Sequence, residues 1–439
     1  MFHKLVICGL LALSLSGCAS MVGGEEALAA ANAAARDSAA AKSAAEAARA
    51  AADSSAQAAS AAQSTADQAL STAIEAQAGV EASRESMERM FQQSMSESPT
   101  REAVVPKSQC NPDDESQICV WFGTNRLAVR EAGIITNFSG QRDAKMSYGR
   151  ATVMVPESHI FGETGSNWFV RVFTGEDDRL KVQKISVMSK TAFSTDIGNA
   201  LKYREFGKRS AFIYIHGYNT EFEEALIRAA QIGTDLKIEG ITAAFSWPSA
   251  GSIFAYTVDE ATIGASEQHL EEFLRLILSN SEVDDINILA HSMGNRALLR
   301  VVERLAADTN LKPKAINQII LAAPDVDVAL FKQLAKHYPQ LSNRTTMYVS
   351  AEDRLLALSG IVHRFQRAGV GPPVTVVPGI DTVAVEEVDL SLLGHSYLAE
   401  AEAVLNDMYD LVRDNSGPAD RVRLRKAFNA DNQEYWFFR

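Results

Sequence analysis

Ser292 stands in the run Ile286-Asn287-Ile288-Leu289-Ala290-His291-Ser292-Met293-Gly294-Asn295-Arg296, where apolar residues end in a small-x-Ser-x-Gly turn. A helix-forming stretch follows at once. Strand, sharp turn and helix together lift a serine hydroxyl out of a sheet. Ala290 and Gly294 supply the small side chains needed where strand and helix pass close together. A serine hydroxyl is a weak nucleophile near neutral pH, so it needs a base, and the base needs an orienting acid. His395, in Gly394-His395-Ser396-Tyr397, follows the last expected strand of the sheet and is the candidate base. Asp353, after the second expected strand beyond the turn, is the preferred acid, and Asp325, after the first, is the alternative. Asp327 reads as the cap of the following helix. Serine, acid and histidine in that order can pass an acyl group to Ser292 and then to water, which is hydrolysis of an ester or related acyl bond. An alcohol or amine acceptor would use the same residues.

An acyl-transfer site also needs donors for the oxyanion of its tetrahedral intermediate. The backbone N–H of Met293, just after the nucleophile, is one. The apolar run Ala211-Phe212-Ile213-Tyr214-Ile215 ends in His216-Gly217-Tyr218-Asn219, and the N–H of Tyr218 is the other. His216 is read as holding this loop rather than as a base. His216, Asn219, Trp247 and His291 are expected to line the pocket, since strand carboxyl ends carry the site in open α/β sheets. Residues 354–373 are long enough to cover it. The chemistry needs no metal or cofactor, and no H-E-x-x-H, Walker A or G-x-G-x-x-G motif occurs.

These side chains must be positioned by alternating strands and helices. Strands are expected at 120–126, 151–156, 168–173, 184–188, 211–215, 241–247, 286–291, 318–323, 346–351 and 374–377. Helices are expected at 200–206, 221–236, 260–278, from 294 onward and at 398–412.

With these motifs in place, residues 120–438 resemble a bacterial α/β-hydrolase family of unknown function, loosely esterase- and lipase-like. The resemblance rests on Phe122-Gly123-Thr124-Asn125-Arg126, His216-Gly217-Tyr218-Asn219, Ser246-Trp247-Pro248-Ser249, Ala290-His291-Ser292-Met293-Gly294, Ala323-Pro324-Asp325, residues 348–353 and Gly394-His395-Ser396-Tyr397. It implies an α/β-hydrolase fold, a mostly parallel sheet with helices on both faces. It implies a serine hydrolase but names no substrate; an acyl-ester small molecule or lipid is the expected partner.

The N-terminal part has a different composition. Lys4 and the apolar run 5–15 read as a signal peptide: about eleven helical residues reach roughly 16 Å, short of a ~30 Å hydrocarbon core. Leu15-Ser16-Gly17-Cys18 resembles a bacterial lipobox, which implies cleavage before Cys18 and its lipidation. Ala19 in place of Asp favours sorting to the outer membrane of a Gram-negative envelope, facing the periplasm. Residues 25–92 hold an alanine-rich seven-residue repeat. One uncharged set runs Ala31, Ser38, Ala45, Ala52, Ala59, Ala66, Ala73, Val80, Met87, and the companion set runs Ala34, Ala41, Ala48, Ser55, Ala62, Ala69, Ala76, Ser83, Met90. Such a frame predicts a long helix in a homo-oligomeric coiled coil, similar in layout to murein lipoproteins. The expected organisation is signal 1–17, anchored N-terminus 18–24, coiled coil 25–92, linker 93–110 and α/β-hydrolase domain 111–439. Of the four cysteines, Cys8 leaves with the signal, Cys18 takes lipid, and Cys110 and Cys119 are expected to pair in an oxidising envelope. A net charge of −13 argues against nucleic acid as a partner, since neutralising phosphates needs an excess of cations. The competing reading is a structural envelope lipoprotein whose coiled coil oligomerises or spaces, with the hydrolase-fold part as a binding module.

Overall fold

The computed structural model describes residues 32, 35–44, 46, 49, 53, 116–157, 159, 161, 179–205, 207–252, 255–350, 365–385 and 398–438. The chain divides into two units, Met1–Arg101 and Glu102–Arg439. In the first, residues 35–44 are helical and exposed. The signal segment, Cys18, most of the alanine repeat, the 93–110 linker and the 168–173 strand lie outside the described residues.

The second unit is built on one sheet. Its strands are β1 (Gln117–Glu131), β2 (Ile134–Met154), β3 (Lys181–Met188), β4 (Ser210–Ile215), β5 (Ile241–Ser246), β6 (Asp285–His291), β7 (Ile316–Ala322), β8 (Ser342–Ser350), β9 (Asp381–Val385), β10 (Leu424–Phe428) and β11 (Glu434–Phe438). The spatial order is β10-β11-β9-β8-β7-β6-β4-β5-β1-β2-β3. From β11 to β1 every pair is parallel; β1–β2, β2–β3 and β10–β11 are antiparallel. The helices are α1 (Lys190–Leu201), α2 (Phe222–Asp235), α3 (Tyr256–Ala265), α4 (Glu267–Leu278), α5 (Gly294–Ala306), α6 (Val328–Leu334), α7 (Tyr338–Leu341) and α8 (Leu398–Asp414). This is an α/β-hydrolase architecture, a mostly parallel sheet covered by helices.

The central strands are unbroken apolar runs because both of their faces are covered. Alternate residues go to different cores. Ile213, Ile215, Ala243, Phe245, Ile288 and Ala290 pack with Phe273 of α4 and Leu298 and Val302 of α5. Phe212, Tyr214, Ala244 and Leu289 pack instead with Leu226 and Ala229 of α2 and with Val404 and Met408 of α8. Burying one such large side chain contributes roughly 1.5–3 kcal/mol, so the parallel strands, which carry the turns described below, are the rigid part of the unit.

Four expectations are corrected. Residues 374–377 are not a strand: the open edge of β8 is taken by β9, pairing Thr346 with Asp381 through Ser350 with Val385. The helix expected at 200–206 ends at Leu201 and lies upstream, capped by Ser189, whose side chain accepts from the Ala192 N–H. The helix expected over 260–278 is two helices, α3 and α4, that break at Ser266. There the Ser266 hydroxyl donates to the Thr262 carbonyl at 2.8 Å and accepts from Asn125 Nδ2 at 2.9 Å. A closing hairpin, β10–β11, adds a pair of strands not expected from the sequence.

Candidate active site

β6 ends at His291, and Ser292 turns the chain into α5 with φ +46°. A residue with a Cβ rarely adopts this left-handed conformation, and holding it there costs on the order of 1–3 kcal/mol. The neighbouring backbone fixes it. The Ser292 N–H donates to the Ala322 carbonyl at 2.9 Å, and the Ser292 carbonyl accepts from the N–H groups of Asn295 at 3.1 Å and Asp325 at 3.2 Å. Asn295, fully buried, adds a second clamp through Nδ2, which reaches the carbonyls of Ala290 at 3.0 Å, Ser292 at 3.1 Å and Ala322 at 3.3 Å. Sequence reasoning gave Asn295 no role, because nothing in the spacing reports that its amide folds back on the turn. Asn295→Ala is expected to lower stability by about 2 kcal/mol, read from urea unfolding; an unchanged midpoint would refute the clamp.

The loop after β4 lies against this turn. A Cβ on Gly217 would sit 3.1 Å from Ser292 Cβ and 2.9 Å from His291 Nδ1, and one on Gly294 would sit 2.6 Å from the His216 carbonyl oxygen. Glycine at both places lets the two turns meet. His216 is fully buried, with its ring stacked on Trp247 at 4.9 Å between centroids. The Trp247 indole N–H donates to the His216 carbonyl at 2.9 Å. Trp247 is itself fully buried. It therefore braces the loop from behind, whereas the sequence placed it on a pocket wall. Burial, and then the neighbouring Arg126, hold the His216 imidazole well below its ordinary range. Its weakened proton affinity and its burial make it a poor proton acceptor. Asn219 has φ +53°, with its N–H donating to Asp259 Oδ2 at 3.2 Å, and the Tyr218 ring stands edge-on to Tyr256 at 5.5 Å. Tyr218, Asn219, His291 and Ser292 thus share one rim, at the carboxyl ends of β4 and β6.

Asp325 follows β7, which ends in a second left-handed residue, Ala323, at φ +43°. The carboxylate is buried and accepts from the Tyr256 hydroxyl at 2.6 Å. It also pairs with Arg296 at 3.2 Å and Arg367 at 3.3 Å. Arg296 in turn donates through Nε to the Asp325 carbonyl at 2.6 Å and pairs with Glu260. Two guanidiniums and a phenol on one carboxylate make Asp325 an anchor for the 323–328 loop. Residues 366–369, the far end of the stretch expected to cover the pocket, dock on that same loop: Ala368 N–H to the Val326 carbonyl at 2.8 Å, Gly369 N–H to the Pro324 carbonyl at 2.9 Å. His395, Asp353 and Cys110 lie outside the described residues. Cys119 is disulfide-bonded and buried.

The family described as alpha/beta hydrolase of unknown function (DUF900) matches residues 189–413, just over half of the chain. The chain belongs to this family. Among solved structures, the chain is similar to an uncharacterized protein from Bacillus cereus ATCC 10987 at 14% identity, over 48% of this chain and 62% of that one, with a TM-score of 0.31. It thus spans less than two thirds of that protein's length. It is also similar to a predicted CIB-like hydrolase from Thermoplasma acidophilum at 18% identity, over 48% of this chain and 89% of that one, TM-score 0.28. A third likeness is to a Pyrobaculum calidifontis esterase at 11% identity, over 61% and 81%, TM-score 0.30. No curated protein matches.

Two further residues shape the candidate site without having been legible as functional. Arg126, on β1, is buried and reaches the loops after β4 and β5 at once. Burial pushes its guanidinium down to about 10 against the pull of Asp259, Glu221 and Glu224, so it keeps its charge at neutral pH. Asp259, on α3, is fully buried and accepts from the Ser249 hydroxyl at 2.6 Å and the Ala250 N–H at 2.8 Å as well as from Asn219. The only sequence signal for Arg126 was the Phe122–Arg126 motif, which carried the family resemblance without a mechanism, and Asp259 had none. On the other side, Tyr348 donates to Asp407 at 2.6 Å and Arg421 donates to it at 2.7 Å, which ties α8 to β8. Among the described residues no group of three His, Cys, Asp or Glu could hold a metal ion.

Proposed function

We propose that the chain is a serine hydrolase that cleaves an ester or related acyl bond, with Ser292 as nucleophile. The observation that carries this reading is the left-handed Ser292 at the junction of β6 and α5, with the Gly217 loop packed against it. A strained, over-determined backbone at a strand-to-helix turn presents a side chain that packing alone would not favour there. In this mechanism His395 accepts the Ser292 proton as Oγ attacks the acyl carbon. Asp353 holds the imidazole in the required tautomer and stabilises its charged form. The backbone N–H groups of Met293 and Tyr218 receive the oxyanion of the tetrahedral intermediate. The intermediate collapses, His395 returns the proton to the leaving group, and water repeats the sequence on the acyl-enzyme.

The same reading places the enzyme on the periplasmic side of an outer membrane, anchored through lipid on Cys18 and oligomerised through residues 25–92. Support for that part comes from the lipobox-like Leu15-Ser16-Gly17-Cys18 and the seven-residue alanine repeat.

The deciding experiment is labelling with a fluorophosphonate probe, followed by peptide mapping. A single adduct on the peptide holding Ser292 is expected, lost in Ser292→Ala. A wild-type protein that takes up no probe, or an adduct that survives Ser292→Ala, would end the proposal. Product analysis with added alcohol or amine then separates hydrolysis from acyl transfer.

A further inference from the structure

Arg126 offers five N–H donors in a fixed fork, and the structure gives each of them an acceptor. Nε donates to Ser246 Oγ at 2.9 Å. Nη1 donates to the carbonyls of Ser249 at 3.0 Å and Ser139 at 3.4 Å. Nη2 donates to the Thr220 carbonyl at 2.7 Å and lies 3.4 Å from His216 Nε2. One guanidinium thus grips both ends of the 216–220 loop and the end of β5 behind it. A buried cation with no carboxylate in ion-pair contact among the described residues is costly, which sets it apart from an ordinary packing residue.

The contact with His216 has a directional consequence. A guanidinium can only donate, so the His216 Nε2 facing it must be the acceptor nitrogen, and Nδ1 carries the proton. That Nδ1–H lies 2.7 Å from the Gly217 carbonyl oxygen. In a trans peptide the C=O and the following N–H point in opposite directions. Turning the Gly217 carbonyl toward His216 therefore turns the Tyr218 N–H away from it, while Gly217 itself lies against Ser292.

We propose that Arg126 is a positioning residue for the reaction: acting through His216 and Thr220, it sets the orientation of the Gly217–Tyr218 peptide and so aims the oxyanion donor. This rests on the function proposed above. Arg126 touches no reacting atom. Its part is to keep one peptide plane from rotating when charge develops on the substrate oxygen.

The test compares wild type, Arg126→Lys and Arg126→Met. The readouts are kcat per fluorophosphonate-titrated site and KM on a short-chain p-nitrophenyl ester, affinity for an alkyl boronic acid that mimics the tetrahedral state, and melting temperature. Lysine keeps the charge but cannot span both ends of the loop. In both variants kcat per titrated site is expected to fall about 10²-fold, with boronate affinity falling in step and KM staying within about threefold. A residue that only held the fold together would lower the melting temperature and the titratable fraction, and leave kcat per titrated site unchanged. That pattern, or variants within about threefold of wild-type kcat, overturns the proposal. If Arg126→Met does not fold, Arg126→Lys and Ser246→Ala carry the same comparison. Failure of wild type to react with the probe sinks the function itself, whereas a reactive wild type with fully active variants sinks this inference alone.

Discussion

Ser292→Ala and Ser292→Gly are both expected to end ester turnover, and the glycine variant is expected to be the more stable of the two by about 1 kcal/mol. The loss follows from removing the group that carries the acyl chain; in a triad of this type such a change costs on the order of 10⁶-fold in kcat. The difference in stability has another origin. Ser292 sits at φ +46°, where any Cβ is crowded by its own backbone, and alanine keeps that Cβ. Glycine relieves the strain and gives back only part of the gain through its greater unfolded-state entropy. Urea unfolding of the two variants measures the difference. Equal midpoints would mean that the turn stores no strain, and residual turnover in either variant would move the nucleophile elsewhere.

Asp325 and Asp353 are expected to part company under mutation. Asp325→Ala should lower stability by about 3–5 kcal/mol, because it leaves Arg296 and Arg367 facing a buried gap where their carboxylate stood. Protein that remains folded should keep its rate per titrated site. Asp353→Asn should instead lower kcat per titrated site by about 10⁴-fold. A stable but inactive Asp325→Ala protein, beside an active Asp353→Asn protein, would transfer the acid to Asp325. The sequence left these two carboxylates open because both follow strands at the same end of the sheet. Around Asp325 the structure gathers Tyr256, Arg296 and Arg367, residues scattered through the chain that no spacing announces.

The parallel core was legible because its physics is local. The runs 211–215, 241–246 and 286–291 are apolar from end to end, as strands covered on both faces must be. The Ala290-x-Ser-x-Gly294 turn was legible because close packing of strand on helix demands small residues at fixed offsets. What stayed hidden was decided by competition or by distance. Residues 374–377 have the composition of a strand, yet 381–385 holds the available edge. Helix α1 buries only Phe193, Ile197 and Leu201, one apolar side chain per turn, which is too sparse a stripe to stand out. Ser266 interrupts an otherwise continuous amphipathic pattern because Asn125, more than a hundred residues earlier, binds its hydroxyl. Arg126 and Asp259 carry charges that would ordinarily be read as solvated, and their burial follows from loops that converge only in three dimensions.

Among the described residues, the outermost strands of the sheet are β3 and β10. Lys181 and Lys184 lie on the first, and the exposed Arg425 and Lys426 on the second. Two copies of this unit meeting at these strands would have to bury the charged Lys184 and Arg425, while Lys426 is held by Glu434 at 2.9 Å. Charged side chains on edge strands discourage the strand-by-strand stacking that leads to aggregates.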